Sequence, residues 1–299
     1  MMRKYSRACF ALALSLTVGS AAAASEYEQS IVKKISADHK VLSVSDWYGG
    51  RRIEFDFNGY NAWLVLPAEG TKIAEGRPWT WTMQWRTAFV NRSGASEMLR
   101  RGWHHVSIDT FKHRMDSRGL EISRNFQRYL VEKIALKEKA VLIGMSWGGF
   151  FSVRYSATYP ECIDRIYLDA PLLTFEKFLP KFAPSEAAKQ ISGGTAEWIK
   201  GPASGGNWSD DPRMPVNMYK PIADAKIPVL LLYGGQDQTV LPKLNSELFI
   251  ARMKEAGGVL KVGLTDSEGR GRAAYGHHPH GVELDQQDKL AAFLEGSIK

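Results

Sequence analysis

The sequence predicts an α/β fold, with a mostly parallel central sheet, helices on both faces and a small cap inserted between two strands. Three observations carry this. From Pro78 onward, apolar runs of strand length alternate with helix-length stretches, the pattern of consecutive βα units. Gly144-Met145-Ser146-Trp147-Gly148 lies between a strand-like run at 140–143 and a helix-like run at 149–159 closed by Pro160. The 299 residues, less an N-terminal targeting segment, suit one large domain with a generous core.

Residues 1–24 read as a secretory signal peptide. Arg3, Lys4 and Arg7 precede an apolar stretch at 8–19, and Ala21 to Ala24 offer small residues for cleavage after Ala24. The apolar part is too short to span a membrane, so the expected destination is the periplasm or the exterior. Cleavage removes Cys9 and leaves only Cys162, so no intramolecular disulfide is expected despite an oxidising compartment.

Residues 51–66 read as a hairpin turning at Asn58-Gly59, a strong two-residue turn signal. After a polar loop, 78–86 alternates with period two, placing Trp79, Trp81, Met83 and Trp85 on one side. A helix is expected at 95–101, a strand at 103–108 and an amphipathic helix at 119–133. The strand and helix around Ser146 follow, then a strand at 163–168 running into Asp169-Ala170-Pro171. Residues 172–225 break the rhythm, with Gly193-Gly194, Gly205-Gly206, Trp198 and Trp208 among polar residues. A structureless loop of that length is improbable in a compact domain, so this stretch reads as a small cap. A strand at 227–233, a helix at 244–256, a strand at 259–264 and a helix at 285–296 complete a single domain over 25–299.

The chemistry starts at Ser146. A serine on a sharp strand-to-helix turn presents its hydroxyl above the sheet edge and aims the following backbone N–H at an incoming oxyanion. Such a nucleophile needs a base and an orienting acid, in chain order Ser, Asp or Glu, His. Asp237 lies just past the 227–233 strand, framed by Gly234-Gly235 and Val240-Leu241-Pro242, where ligands bind in open α/β sheets. Asp169 ends the strand beside the nucleophile strand and is the rival acid, although the loop pattern favours Asp237. Gly276-His277-His278-Pro279-His280-Gly281 holds three of the seven histidines and supplies the base. No metal is expected there, because Pro279 interrupts helical ligand spacing and no nearby cysteine joins the cluster.

The formal charge is +7, of which Arg3, Lys4 and Arg7 contribute +3 and leave +4 after cleavage. With no dense Lys/Arg stripe, nucleic acid is not an expected partner. No other segment is long and apolar enough to cross a membrane.

These residues together resemble the α/β-hydrolase superfamily over about 46–299, and within it a branch of exported bacterial hydrolases. The matching segments are Arg77-Pro78-Trp79-Thr80-Trp81, Gly144 to Gly149, Leu168-Asp169-Ala170-Pro171 and Gly276 to Gly281, with Asn245 also on the pattern. The resemblance implies Ser146 as nucleophile, Asp237 as acid and His277 as base, since His277 fills the Gly-His-x-Pro position. Two positions depart from it. Thr82 stands where the branch usually has arginine, and Trp147 where the residue after the serine is often basic, so both remove charge from the site.

The expected activity is carboxylic-ester hydrolysis through an acyl-enzyme, without a cofactor. Trp147 and Thr82 are the expected oxyanion donors, and Trp81, Trp85 and His280 the expected substrate contacts. Aromatic faces stack well on sugar rings, so an acylated carbohydrate is an attractive substrate. A serine peptidase, or a non-catalytic binding protein on the same fold, are the alternatives.

Overall fold

The computed structural model describes residues 25–178, 189, 191, 193, 195–203, 205–264, 275–278 and 280–298. The expected signal peptide lies outside them. Helix α1 (Glu26–Asp38) opens the described chain, with the Ser25 hydroxyl accepting from the Glu28 N–H and Ile31 and Ile35 turned inward. Strands β1 (Val41–Trp47), β2 (Gly50–Phe57) and β3 (Tyr60–Leu66) form an antiparallel meander. The second turn is at Asn58-Gly59, both with positive φ, as a two-residue hairpin turn requires.

Then follow β4 (Trp79–Gln84), α2 (Ala95–Arg100), β5 (His104–Ile108), α3 (Ser117–Tyr129), β6 (Ala140–Met145), α4 (Trp147–Thr158) and β7 (Ile163–Asp169). Between β7 and β8 (Val229–Leu232) the described residues include short helical pieces, among them α5 (Ala196–Ile199) and α6 (Tyr219–Asp224). Helix α7 (Ser246–Glu255), β9 (Leu260–Val262) and α8 (Gln287–Glu295) close the described structure.

The nine strands among the described residues run in the order β1-β2-β3-β5-β4-β6-β7-β8-β9. The contacts from β5 through β9 are all parallel. Strand β6 is therefore central, and the C-terminal ends of β4, β6, β7 and β8 share one edge, which is what positions the site. Strands β4 and β6 are buried along their whole length, with one apolar cluster on each side of the sheet.

The segment between β7 and β8 is tied to α3 and α4 by polar contacts. Arg154 on α4 reaches Glu197 at 3.2 Å and the Arg213 carbonyl at 2.7 Å. The Glu197 carboxylate also accepts from the Ser117 N–H and hydroxyl. Around this frame Phe150, Phe175, Trp198 and Trp208 pack ring against ring.

Candidate active site

Ser146 is the single residue between β6 and α4, at φ 51° and ψ −119°. That region is sparsely populated for a residue with a side chain and costs about 1–3 kcal/mol, which the surroundings must offset. They do so by contact. The Ser146 N–H donates to the Asp169 carbonyl at 3.0 Å, and its carbonyl accepts from Leu172 N–H at 2.9 Å. A Cβ on Gly148 would sit 2.0 Å from the Gln84 carbonyl oxygen, so only glycine lets β4 end beside the turn. The turn also starts α4 two residues earlier than the sequence pattern suggested, because Trp147 and Gly148 already belong to its first turn.

His277 closes on the serine from the chain between β9 and α8. The Ser146 hydroxyl lies 3.0 Å from His277 Nε2, and His277 Nδ1 lies 2.7 Å from Asp237 Oδ2. Asp237 is buried, and its other oxygen accepts from the Thr239 and Val240 N–H groups, each at 2.8 Å. Its turn is held against the histidine loop by the Gln236 N–H, which donates to the Tyr275 carbonyl. A carboxylate on Nδ1 leaves Nε2 as the acceptor facing the hydroxyl, the arrangement that lets a serine lose its proton.

Asp169 does not join this chain. Fully buried at the end of β7, it accepts from Tyr167 hydroxyl at 2.9 Å, His280 Nδ1 at 3.1 Å and Gly281 N–H at 2.6 Å. His280 is itself 2% exposed, so the expectation that it lines the pocket as a substrate contact gives way to an internal pairing with Asp169.

Two further expectations are relocated by the end of β4. Trp81 is fully buried among Trp79, Phe126 and Tyr155 and so is core, out of reach of a ligand. Thr82 lies inside β4, in register with Ile143, and its carbonyl accepts from the Ser107 hydroxyl. Its backbone faces flanking strands instead of open space. Trp85, the first residue past the strand, is 42% exposed and packs against Phe111 with ring centroids 4.6 Å apart.

Trp147, expected beside the serine, heads α4, where the first N–H groups have no partner within the helix. Its ring packs against Phe111, Phe150, Phe175 and Phe178. Phe111 thus joins Trp85 and Trp147 in one aromatic wall, and the sequence reading overlooked it because it sits alone in a polar loop. Asn245 explains its place in the pattern. Its side-chain oxygen accepts from Leu173 and Thr174 N–H groups while its nitrogen donates to the Leu241 carbonyl, tying the segment after β7 to the Asp237 loop.

A family model described as the alpha/beta hydrolase fold matches residues 116–207, the stretch holding the serine turn. The chain has the α/β-hydrolase fold. Its sheet order and the turn after β6 agree with this, and solved structures of that fold superpose on most of it. An S-formylglutathione hydrolase from Agrobacterium tumefaciens aligns at 15% identity over 86% of this chain and 96% of that one, with a TM-score of 0.54. A puromycin-hydrolyzing peptidase from Mycobacterium tuberculosis gives 16% identity, 84% and 38% coverage and a TM-score of 0.57. An acylaminoacyl peptidase from Pyrococcus horikoshii gives 12%, 90%, 42% and 0.55. The chain thus spans nearly all of the first protein but only about two fifths of either peptidase. Identity at this level speaks for the α/β-hydrolase fold alone, and no curated protein matches the sequence significantly.

Proposed function

We propose that the protein is an exported serine hydrolase of carboxylic esters. The observation that carries this is the hydrogen-bonded chain from the Ser146 hydroxyl through His277 to Asp237. In the proposed cycle, Ser146 attacks the ester carbonyl while His277 Nε2 takes its proton. Asp237 stabilises the imidazolium, which returns the proton to the leaving alcohol. Water then releases the acid from Ser146 through the same histidine. The oxyanion is held by the Trp147 N–H and by a second N–H at Trp85, just beyond β4. Each such donor contributes about 3 kcal/mol to the transition state. Trp85 and Phe111 give the substrate an apolar face to stack on, which suits an ester with a flat or sugar-like part.

The reading is tested by labelling the mature protein with a fluorophosphonate probe, expected on wild type and absent on Ser146→Ala. Rates on short p-nitrophenyl esters are expected to exceed those on dipeptidyl p-nitroanilides by at least a hundredfold. Wild-type protein that stays unlabelled overturns the hydrolase reading, and amide rates equal to ester rates make it a peptidase. A leader peptide still present on protein recovered from the periplasm or medium would overturn cleaved export.

A further inference from the structure

The loop that supplies His277 brings two more imidazoles to the same place. One ring nitrogen from each of His277, His278 and His280 lies within 4.8 Å of the other two. Their ring centroids are 4.8–4.9 Å apart, and the planes meet at 72°, 82° and 90°, so the three rings stand like blades of a propeller. Sequence spacing argued against a metal because Pro279 forbids helical ligand geometry. The loop gathers the three rings without a helix.

Two of the three are already oriented as metal ligands are. A ligating histidine almost always donates its other ring N–H to a carboxylate or carbonyl, which fixes the tautomer and aims the remaining lone pair. His277 has Asp237 on Nδ1, and His280 has Asp169 on Nδ1. Nε2 is thereby left as the coordinating atom of both. His280 Nε2 is buried and has no hydrogen-bond partner among the described residues, an orphaned acceptor of the kind that calls for an explanation. His278 is exposed and can turn to supply the third nitrogen.

We propose that His277, His278 and His280 form a binding site for a divalent transition ion, zinc above all, and that occupancy blocks hydrolysis. Imidazole suits zinc, copper and nickel, and not the hard ions magnesium and calcium. Zinc sits about 2.0–2.1 Å from an imidazole nitrogen, so tetrahedral ligands lie roughly 3.4 Å apart and the trio draws in by an ångström or so on binding. The Nε2 lone pair of His277 then goes to the metal, and the Ser146 hydroxyl loses the acceptor that would take its proton. No bond is made or broken beyond coordination, and chelation reverses it. The inhibitory half rests on the hydrolase reading, whereas the binding half does not.

The test uses metal-stripped mature protein titrated with zinc by calorimetry, with magnesium as a control. Wild type and Ser146→Ala are expected to bind one zinc each, His278→Gln at least tenfold more weakly, and none of them magnesium. In parallel, zinc is expected to slow fluorophosphonate labelling of wild type at least tenfold, reversed by EDTA. Absence of binding overturns the site, and binding unchanged in His278→Gln moves it elsewhere. Zinc that leaves labelling unchanged, or accelerates it, overturns the inhibitory role. Protein that binds zinc but is never labelled overturns the hydrolase reading and leaves the metal site standing.

Discussion

Two aspartate–histidine pairs lie side by side in this protein, and they differ in what stands beyond the imidazole. Asp237–His277 and Asp169–His280 issue from neighbouring parallel strands and share one histidine loop, each with a carboxylate on Nδ1. In the first pair, Nε2 faces the Ser146 hydroxyl at 3.0 Å. In the second, Nε2 is buried without a hydrogen-bond partner among the described residues, and the carboxylate is further occupied by Tyr167 and Gly281. A carboxylate therefore does not make a histidine a base. Access to a proton donor is what the Asp237–His277 pair has, and the buried Asp169–His280 pair ties the shared loop to β7.

The largest effect expected from this contrast separates two alanine substitutions three residues apart. His277→Ala is expected to lower kcat on the ester substrate by about a thousandfold or more, with the melting temperature within a few degrees of wild type. His280→Ala removes one donor from the buried Asp169 carboxylate and leaves a cavity, and is expected to cost on the order of 3 kcal/mol, or roughly 10 °C in Tm. Below that temperature its kcat should stay within tenfold. Steady-state kinetics with calorimetry on both variants decides it, and a folded but inactive His280→Ala would exchange the two roles.

Histidines without a carboxylate sharpen the comparison at intermediate size. His104 bonds Tyr27 and His105 bonds Thr80, and burial lowers their pKa values to about 4 and about 3. Both stay neutral when folded, while the unfolded chain takes up their protons below about pH 6.5. Stability from these two is thus fully present above pH 6.5 and is lost as pH falls toward about 4 for His104 and about 3 for His105. Between pH 6.5 and 4.5 each is expected to remove on the order of 2 kcal/mol. Urea melts of wild type and His105→Phe should show a shallower acid slope in the variant. Equal slopes would mean that His105 is protonated in the folded state.

The smallest effect concerns the open side of the first pair. Trp85→Ala is expected to raise KM several-fold on aryl esters and leave kcat within threefold, because it removes a stacking surface and keeps its backbone N–H. A loss confined to kcat would place the Trp85 ring in the chemistry instead.

Much of the site was legible because its signals are local. The glycines around Ser146 and Asn58-Gly59 announce turns, and the 227–233 strand followed by Gly234-Gly235 announces the Asp237 loop. What escaped depends on tertiary packing. Period two places Trp81 and Trp85 on one side, yet β4 ends at Gln84, so one tryptophan is core and the next leaves the sheet. Thr82 failed for the same reason, the end of a strand being set by its neighbours. Two acids and three histidines allow several pairings, and only the folded loop gives His280 to Asp169. Helix α1 was missed although Ser25 and Glu28 have the spacing of a capping box, because it begins directly after the stretch that reads as a signal peptide.

The approach of the Gln84 carbonyl to Gly148 has a meaning for how this turn can change over generations. Nineteen of the twenty residue types carry a Cβ, and every one would meet that oxygen at 2.0 Å. If Ser146 is the nucleophile proposed, position 148 is as closed to variation as position 146, though for opposite reasons. One then guards a reaction, and the other a gap too narrow for a methyl group. A lineage that gave up the chemistry would be free to lose the serine long before it could lose the glycine, and the elbow would outlive its hydroxyl as a fossil of shape.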